Sequence, residues 1–356
     1  MPNVTYFLGA NSPRGFYSLY DQLIAPEAAR SVYILKGGPG CGKSTLMRRV
    51  AQRAEEQGLA AERILCSGDP DSLDAVLLPA LGAALVDGTA PHVVEPRLPG
   101  AVDHYVNLGA CYDGDALSAL REKIEGCMRG YRGRYDRAYR CLEAAERLAE
   151  DARNTLLNPA LETKLVKRAD GILRREIRRR KPARPGRATD RFLDAITCQG
   201  PVTLYGTAST QCRRIYELAD SYALAHPMLR HLADGALRAG YDAVTCPSPM
   251  DPERLRHLLI PELGLAFLSV EPGRTLPVRP CRRVRIDAMA DPELVRRSRS
   301  RLRFARKVSA SLIQEAVDSL AEAKAMHDEL EAVYNPHVDF DRVGRMAEEI
   351  CAELFD

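Results

Sequence analysis

The string Asp-Pro-x-x-Leu-x-x-x-x-x-Pro-x-Leu-Gly occurs twice in this chain, at residues 69–82 and 251–264. Chance seldom preserves such a spacing. The match widens on both sides. Residues 31–88 align with 213–270 without gaps, at an offset of 182 (Ser31 against Arg213), and carry Arg48/Arg230, Ala51/Ala233, Ala54/Ala236 and Gly58/Gly240. Upstream the offset becomes 185: Phe7-Leu8, Ala10, Gly15 and Leu19-Tyr20 match Phe192-Leu193, Ala195, Gly200 and Leu204-Tyr205. Downstream the match is looser, with Leu148-Ala149-Glu150 against Leu320-Ala321-Glu322 and Asn158-Pro159 against Asn335-Pro336. A repeat this long is one domain present twice, not a solenoid array. It also accounts for 356 residues, more than a single core usually holds.

Each copy reads alike. Residues 31–35 (SVYIL) form a short apolar run suited to a buried strand. Residues 43–57 are amphipathic at helical spacing and stop at Gly58. Residues 62–66 predict a second strand, and 69–78, opening with Asp-Pro, predict a helix. Residues 82–87 and 104–108 predict two more strands. The expected fold class is therefore α/β: duplicated P-loop NTPase-type domains, each with a parallel sheet covered on both faces. Tyr135, Ala138, Leu142, Ala145, Ala149, Ala152 and Leu156 follow an alternating 3,4 spacing, as do Ile313, Ala316, Leu320, Ala323, Leu330 and Val333. Asn158-Pro159 and Asn335-Pro336 then break the helix. These stretches predict a helical hairpin after each core, packed on its own domain or against a coiled-coil partner. The expected organisation is an active core at 1–114, a helical appendage and basic linker at 115–185, a degenerate core at 186–290 and a second appendage at 291–356.

Gly37-Gly38-Pro39-Gly40-Cys41-Gly42-Lys43-Ser44 satisfies G-x-x-x-x-G-K-[ST], and Thr45 continues it into the predicted helix. Glycines let successive N–H groups turn inward on a phosphate, and the helix start adds its positive dipole end. Lys43 reaches the β- and γ-phosphates, and the Ser44 hydroxyl ligates Mg²⁺. These residues predict ATP and Mg²⁺ as ligands. Such a loop needs an acid at the end of a neighbouring strand, and Asp87, closing Ala83-Ala84-Leu85-Val86, fits. Otherwise it caps the turn with Gly88. Beyond it, His92 and Glu95 stand as a base or substrate contacts, although a lone histidine is more often structural. Cys41 sits inside the loop, at a helix start that favours a thiolate; as a small loop residue it needs no such role.

The second copy serves as an internal comparison. At the 182 offset Gly37 becomes Ala219, Gly42 Leu224, Lys43 Ala225, Ser44 His226, Thr45 Pro227 and Asp87 Ser269. Cradle, lysine, hydroxyl and acid are lost together while packing residues stay. The second copy is therefore expected to hold no nucleotide and to serve assembly or regulation.

Residues 7–11 (Phe-Leu-Gly-Ala-Asn), Gly15-Phe16-Tyr17-Ser18, residues 37–46 and Asp87-Gly88-Thr89-Ala90-Pro91-His92 together resemble an uncharacterised bacterial family of tandem P-loop ATPases. The resemblance spans most of the chain. Its members tend to carry the loop in both halves, and this chain departs in the second. The resemblance implies the fold and nucleotide binding, and is silent on biology. It also implies that Asn11, Phe16 and Tyr17 matter to the nucleotide site, where an aromatic ring can stack on adenine; packing in the core is the alternative.

Composition narrows the classes. The apolar fraction of 46%, the charged fraction of 28% and the net charge of +3 are those of an ordinary globular protein. No basic-then-apolar leader opens the chain, and residues 74–87 are too short and too interrupted to span a bilayer, so a cytoplasmic location and no membrane partner are expected. The ten cysteines lack metal spacing and read as buried thiols. Neither N-K-x-D nor L-S-G-G-Q occurs, which leaves GTP and ABC-type readings unsupported. Three functions remain. The first is an ATPase driving a change between two halves, with a protein partner. The second is a small-molecule or nucleotide kinase, since Gly88 replaces the glutamate that many hydrolases place after the acid. The third is a nucleic-acid-linked ATPase, on the basic runs 174–191 and 296–307. Solvated surface is the preferred reading of those runs.

Overall fold

The computed structural model describes residues 4–178, 180 and 184–356. The first half begins with β1 (Val4–Phe7) and a hairpin of β2 (Gly9–Ser12) and β3 (Gly15–Ser18). Next, β4 (Ser31–Lys36) feeds the glycine-rich loop and α1 (Lys43–Glu56). With β5 (Glu62–Leu65), β6 (Leu73–Leu78), β7 (Ala83–Asp87) and β8 (Asp103–Asn107), the sheet has the order β1-β5-β6-β7-β4-β8. The helices α2 (Gly114–Ala119), α3 (Arg121–Leu156) and α4 (Pro159–Glu176) follow.

The second half repeats this plan. It holds β9 (Ala188–Asp190), the hairpin β10 (Asp194–Thr197) and β11 (Gly200–Thr203), α5 (Tyr205–Gln211), β12 (Arg214–Ala219) and α6 (His226–Arg238). It continues with β13 (Ala243–Pro247), β14 (Leu255–Ile260), β15 (Leu265–Val270) and β16 (Arg282–Arg285). Its sheet order, β9-β13-β14-β15-β12-β16, matches the first strand for strand. The chain closes with α7 (Pro292–Arg297), α8 (Arg299–Tyr334) and α9 (Phe340–Phe355).

Both sheets are mixed, which corrects the expected parallel sheet. The strand β6 runs antiparallel to β5 and β7, and β14 runs antiparallel to β13 and β15; the remaining pairs are parallel. The helix expected over residues 69–78 is a turn followed by β6. The Asp69 carboxylate accepts from the Asp71 N–H and the Ser72 hydroxyl, which closes a turn rather than a helix. Every residue of β6 is buried, as a central strand covered on both faces requires.

The repeat extends to register. Val4 pairs with Glu62 and Thr189 with Val244; Ala75 pairs with Val86 and His257 with Leu268. The helix α1 buries Leu46, Met47, Val50, Ala51 and Ala54, and α6 buries their counterparts Met228, Leu229, Leu232, Ala233 and Ala236. Glycines in the left-handed region follow each helix, Gly58 at φ +77° and Gly240 at +92°. The alignment is not gapless, however. Ser31 pairs with Ala83, but Arg214, not Arg213, pairs with Leu265. The second loop is thus one residue shorter, and the counterpart of Gly37 is Asp220 rather than Ala219.

The halves meet about an approximate two-fold axis. Equivalent residues Phe7 and Phe192 exchange both backbone hydrogen bonds, at 3.0 and 2.9 Å. One continuous apolar core, including Tyr6, Phe7, Val86, Phe192, Leu193 and Leu268, fills the space between the sheets. The long helices do not form hairpins with their own successors. Instead α3 and α8 pack together: Ser309 Oγ donates to Ala145 O and Ser319 Oγ to Arg134 O, both at 2.9 Å, so the pair is antiparallel. The arms then cross over. The helix α4 packs on α6 of the second core, and α9 packs on α1 of the first, burying Val343, Ala347 and Ile350 there. Each core is therefore completed by helix from the other half. No helix of the described residues is long and apolar enough to cross a membrane.

Candidate functional site

The parallel strands β4 and β7 are neighbours and end level, with Leu35 paired to Asp87. Parallel strands place the loops at their C-terminal ends together, which brings the glycine-rich loop beside Asp87. The loop turns through left-handed backbone at Gly40 (φ +69°) and Gly42 (φ +85°). Packing is close elsewhere: a Cβ on Gly38 would lie 2.9 Å from the Tyr112 hydroxyl, which would have to shift. Lys43 Nζ donates to the carbonyls of Gly37 (2.7 Å) and Gly38 (2.9 Å) and stands 3.5 Å from Asp87 Oδ2. Both side chains are largely buried. The other Asp87 oxygen accepts from the Thr89 N–H at 2.8 Å and the Thr89 hydroxyl at 2.5 Å, which fixes the carboxylate. Ser44 Oγ accepts from the Leu73 N–H at 2.9 Å. The site thus gathers one cation, two hard oxygen donors and the start of a helix.

No family model matches the chain, and no curated protein or solved structure matches it.

Behind Asp87 lies a second group of buried polar side chains. The Tyr20 hydroxyl donates to Asp74 Oδ2 at 2.8 Å, and His92 Nε2 stands 3.4 Å from the same oxygen. Burial pushes the Asp74 carboxyl up; His92 pulls it back, and the negative Asp87 raises it further. Burial, then Asp74, pushes the Cys66 thiol up. Cys66, Asp74 and His92 present donor atoms within 4.8 Å of one another, as do His327, Asp328 and Glu331 on α8. The Nδ1 of His92 is buried without a partner among the described residues. His92 also lines a cavity of about 420 Å³ with Tyr20, Val32, Val86, Glu95 and Arg97.

The remaining predicted residues fall elsewhere. Glu95 is exposed and pairs with Lys36 at 3.0 Å, and that contact, with the Tyr105 hydroxyl, lowers its pKa. Asn11 is buried and donates to Ser67 O and, across the seam, to Ile196 O. Tyr17 meets Phe192 edge-on, and Phe16 meets His92 edge-on at 5.1 Å. Asn11 and Tyr17 thus touch the second half, while Phe16 packs on His92 of the first. Cys41 is buried in the loop, with Cys111, Cys212, Cys246 and Cys351 buried elsewhere, but Cys281 is exposed.

Residues 179 and 181–183 of the first basic run lie outside the described residues. Around them Arg180 and Arg184 pair with Glu262, Arg187 with Glu27, and buried Arg191 with Glu62. In the second run Arg296 pairs with Glu293 and Arg301 with Asp151, while Arg299, Arg303, Arg306 and Lys307 are exposed.

Sequence reasoning missed the arm. Glu331 Oε1 accepts from the Gly40 N–H at 3.2 Å, Tyr334 packs on Tyr112, and a Cβ on Gly42 would touch Val343. Nothing local in a helical seam announces that its end reaches a loop almost three hundred residues away. Asp74 did carry a signal, a charge inside the apolar run of β6.

The shorter second loop is built differently. Asp220 is buried, and its carboxylate accepts from the N–H groups of Leu224 (2.9 Å) and Ala225 (2.8 Å) at the start of α6. Ser221 donates its N–H and its hydroxyl to Asp287. His226 replaces Ser44, and its Nδ1 accepts the Leu255 N–H at 2.9 Å, as Ser44 does from Leu73.

Proposed function

We propose that the first half is a P-loop NTPase core that binds ATP with Mg²⁺ at residues 37–45 and, as an ATPase, couples nucleotide state to the contact between the halves. The observation that carries this reading is Lys43. Its ammonium lies between two loop carbonyls and Asp87, at the C-terminal edge of adjacent parallel strands. A cation there can move onto β- and γ-phosphate oxygens without leaving the loop. The donors suit a small hard cation: the Ser44 hydroxyl and the Asp87 carboxylate offer oxygen only, and Mg²⁺ held by them would neutralise phosphate charge. On this reading the second half holds no nucleotide, because Asp220 occupies its loop N–H groups.

The second reading, a small-molecule kinase, is favoured by one observation. The cavity beside His92 combines apolar walls (Val32, Val86, Val102) with Glu95 and Arg97, as an acceptor site would. The deciding measurement is ATP turnover with Mg²⁺, for wild type and Lys43→Ala, without other substrate. Wild-type turnover lost in the variant supports the ATPase. Binding without turnover supports the kinase. Absence of ATP binding in the wild type overturns both. Removing a charge from such a contact costs about 2–5 kcal/mol, so binding should weaken by at least roughly 30-fold.

A further inference from the structure

The end of α8 belongs to the second half of the chain, yet it sits on the loop of the first. Glu331 Oε1 accepts the Gly40 N–H at 3.2 Å. Asn335 faces the Gly40 and Glu331 carbonyls; with its amide nitrogen toward them it donates to Gly40 O at 3.0 Å and to Glu331 O at 3.3 Å. The approach is close enough that a Cβ on Gly40 would lie 2.4 Å from that same Asn335 amide atom. Beyond Asn335 the chain turns into α9, whose Phe340 and Val343 cover Gly42. The loop is therefore held at its N–H, its carbonyl and its last glycine by one arm.

We propose that this arm is a built-in competitor and sensor for the phosphate site, with the Glu331 carboxylate as the competing anion. The proposal rests on the nucleotide reading above and specifies how that site is regulated. The N–H groups of such a loop are its phosphate donors, and Gly40 has one hydrogen to give. A carboxylate on that hydrogen satisfies it in the absence of nucleotide. A polyphosphate brought into the loop meets both a blocked donor and a like charge. Binding then requires Glu331 to leave, and Asn335 and α9 follow because the same short segment holds them. Since α8 continues along α3 to the second core, displacement of its end is a displacement of the contact between the halves. A ligand that favours the released arm and an arm that opposes the ligand are one reciprocal coupling.

Titration calorimetry with MgATP on the full-length wild type, Glu331→Gln and Glu331→Ala tests this. The glutamine retains the acceptor and loses the charge; the alanine loses both. Coupling of ordinary size predicts roughly 5- to 100-fold tighter binding in both variants, larger for alanine. Unchanged or weaker binding in both, with wild-type binding intact, overturns the proposal and leaves the nucleotide reading standing. Absence of binding in all three proteins overturns both. Amide exchange provides a second measurement in the unmodified chain. MgATP should accelerate exchange over the last turn of α8 and the first of α9. Bound MgATP with unchanged exchange there overturns the sensing role.

Discussion

The two loops after β4 and β12 pose one physical problem and solve it in opposite ways. Each follows a parallel strand, leads into a helix with the same buried face, and leaves N–H groups pointing out of the helix start. Those groups favour negative charge. The second loop supplies the charge from its own chain: Asp220 accepts from Leu224 and Ala225, and burial pushes its carboxyl up against the lowering effect of those same bonds. The first loop has glycine at that position and places Lys43 beside Asp87 instead. An internal carboxylate satisfies the helix start from within the second loop, whereas the first loop has no carboxylate of its own there and its Gly40 N–H is met by Glu331 of α8. On the nucleotide reading proposed above, that difference is what would separate a scaffold half from a half that takes a ligand.

The largest effect should separate Asp87 from its counterpart Ser269. Asp87→Asn keeps shape and hydrogen bonding to Thr89 but removes the charge facing Lys43. Loss of a group orienting a bound metal costs roughly 10–100-fold in activity, and Mg²⁺-dependent ATP turnover should fall by that factor. Ser269→Ala should leave turnover unchanged. Equal losses in both would mean that the two ends of strand are alike and that the comparison is wrong.

An intermediate effect should come from Asp220. Asp220→Ala leaves two buried N–H groups unpaired, which costs about 1–3 kcal/mol. Denaturant unfolding should show that loss in the second half, with ATP affinity at the first loop unchanged. Asp220→Asn retains one acceptor and should fall between. If Asp220→Ala unfolds at the wild-type midpoint, the carboxylate does not stabilise the helix start.

How much of this was legible in the sequence depended on what each residue encodes. The repeat was legible because Leu46, Met47, Val50, Ala51 and Ala54 have apolar counterparts at a constant spacing. The loop was legible because left-handed turns at Gly40 and Gly42 leave few other choices. The strand β6 was not, since a run buried on both faces lacks the alternation that marks a strand. The Asp220 plug was hidden by one missing residue, which only the shifted register of β12 reveals. The crossed arms were hidden for a more general reason. An apolar seam on α3 fixes which face is buried and says nothing about which helix buries it.

The smallest effect, and the finest test of equivalence, concerns His226. It makes to Leu255 the bond that Ser44 makes to Leu73, but it can titrate. Burial, then Arg254 and Arg230, lowers its pKa to about 4. The unfolded chain takes up that proton near pH 6.5, so between those values the unfolded state binds more protons than the folded one. The stability His226 contributes is present above about pH 6.5 and is lost as pH falls toward 4. His226→Ser keeps an acceptor and removes the titration. Its melting temperature should therefore fall less between pH 7 and pH 5 than that of the wild type, by about 1–2 °C for each kcal/mol involved. The raised carboxyls of Asp74 and Asp220 act in the opposite direction, but they are common to both proteins and cancel in the difference. Parallel curves for the two proteins would show that His226 takes up its proton alike in the folded and unfolded chains, and that the bond it accepts from Leu255 does not oppose protonation.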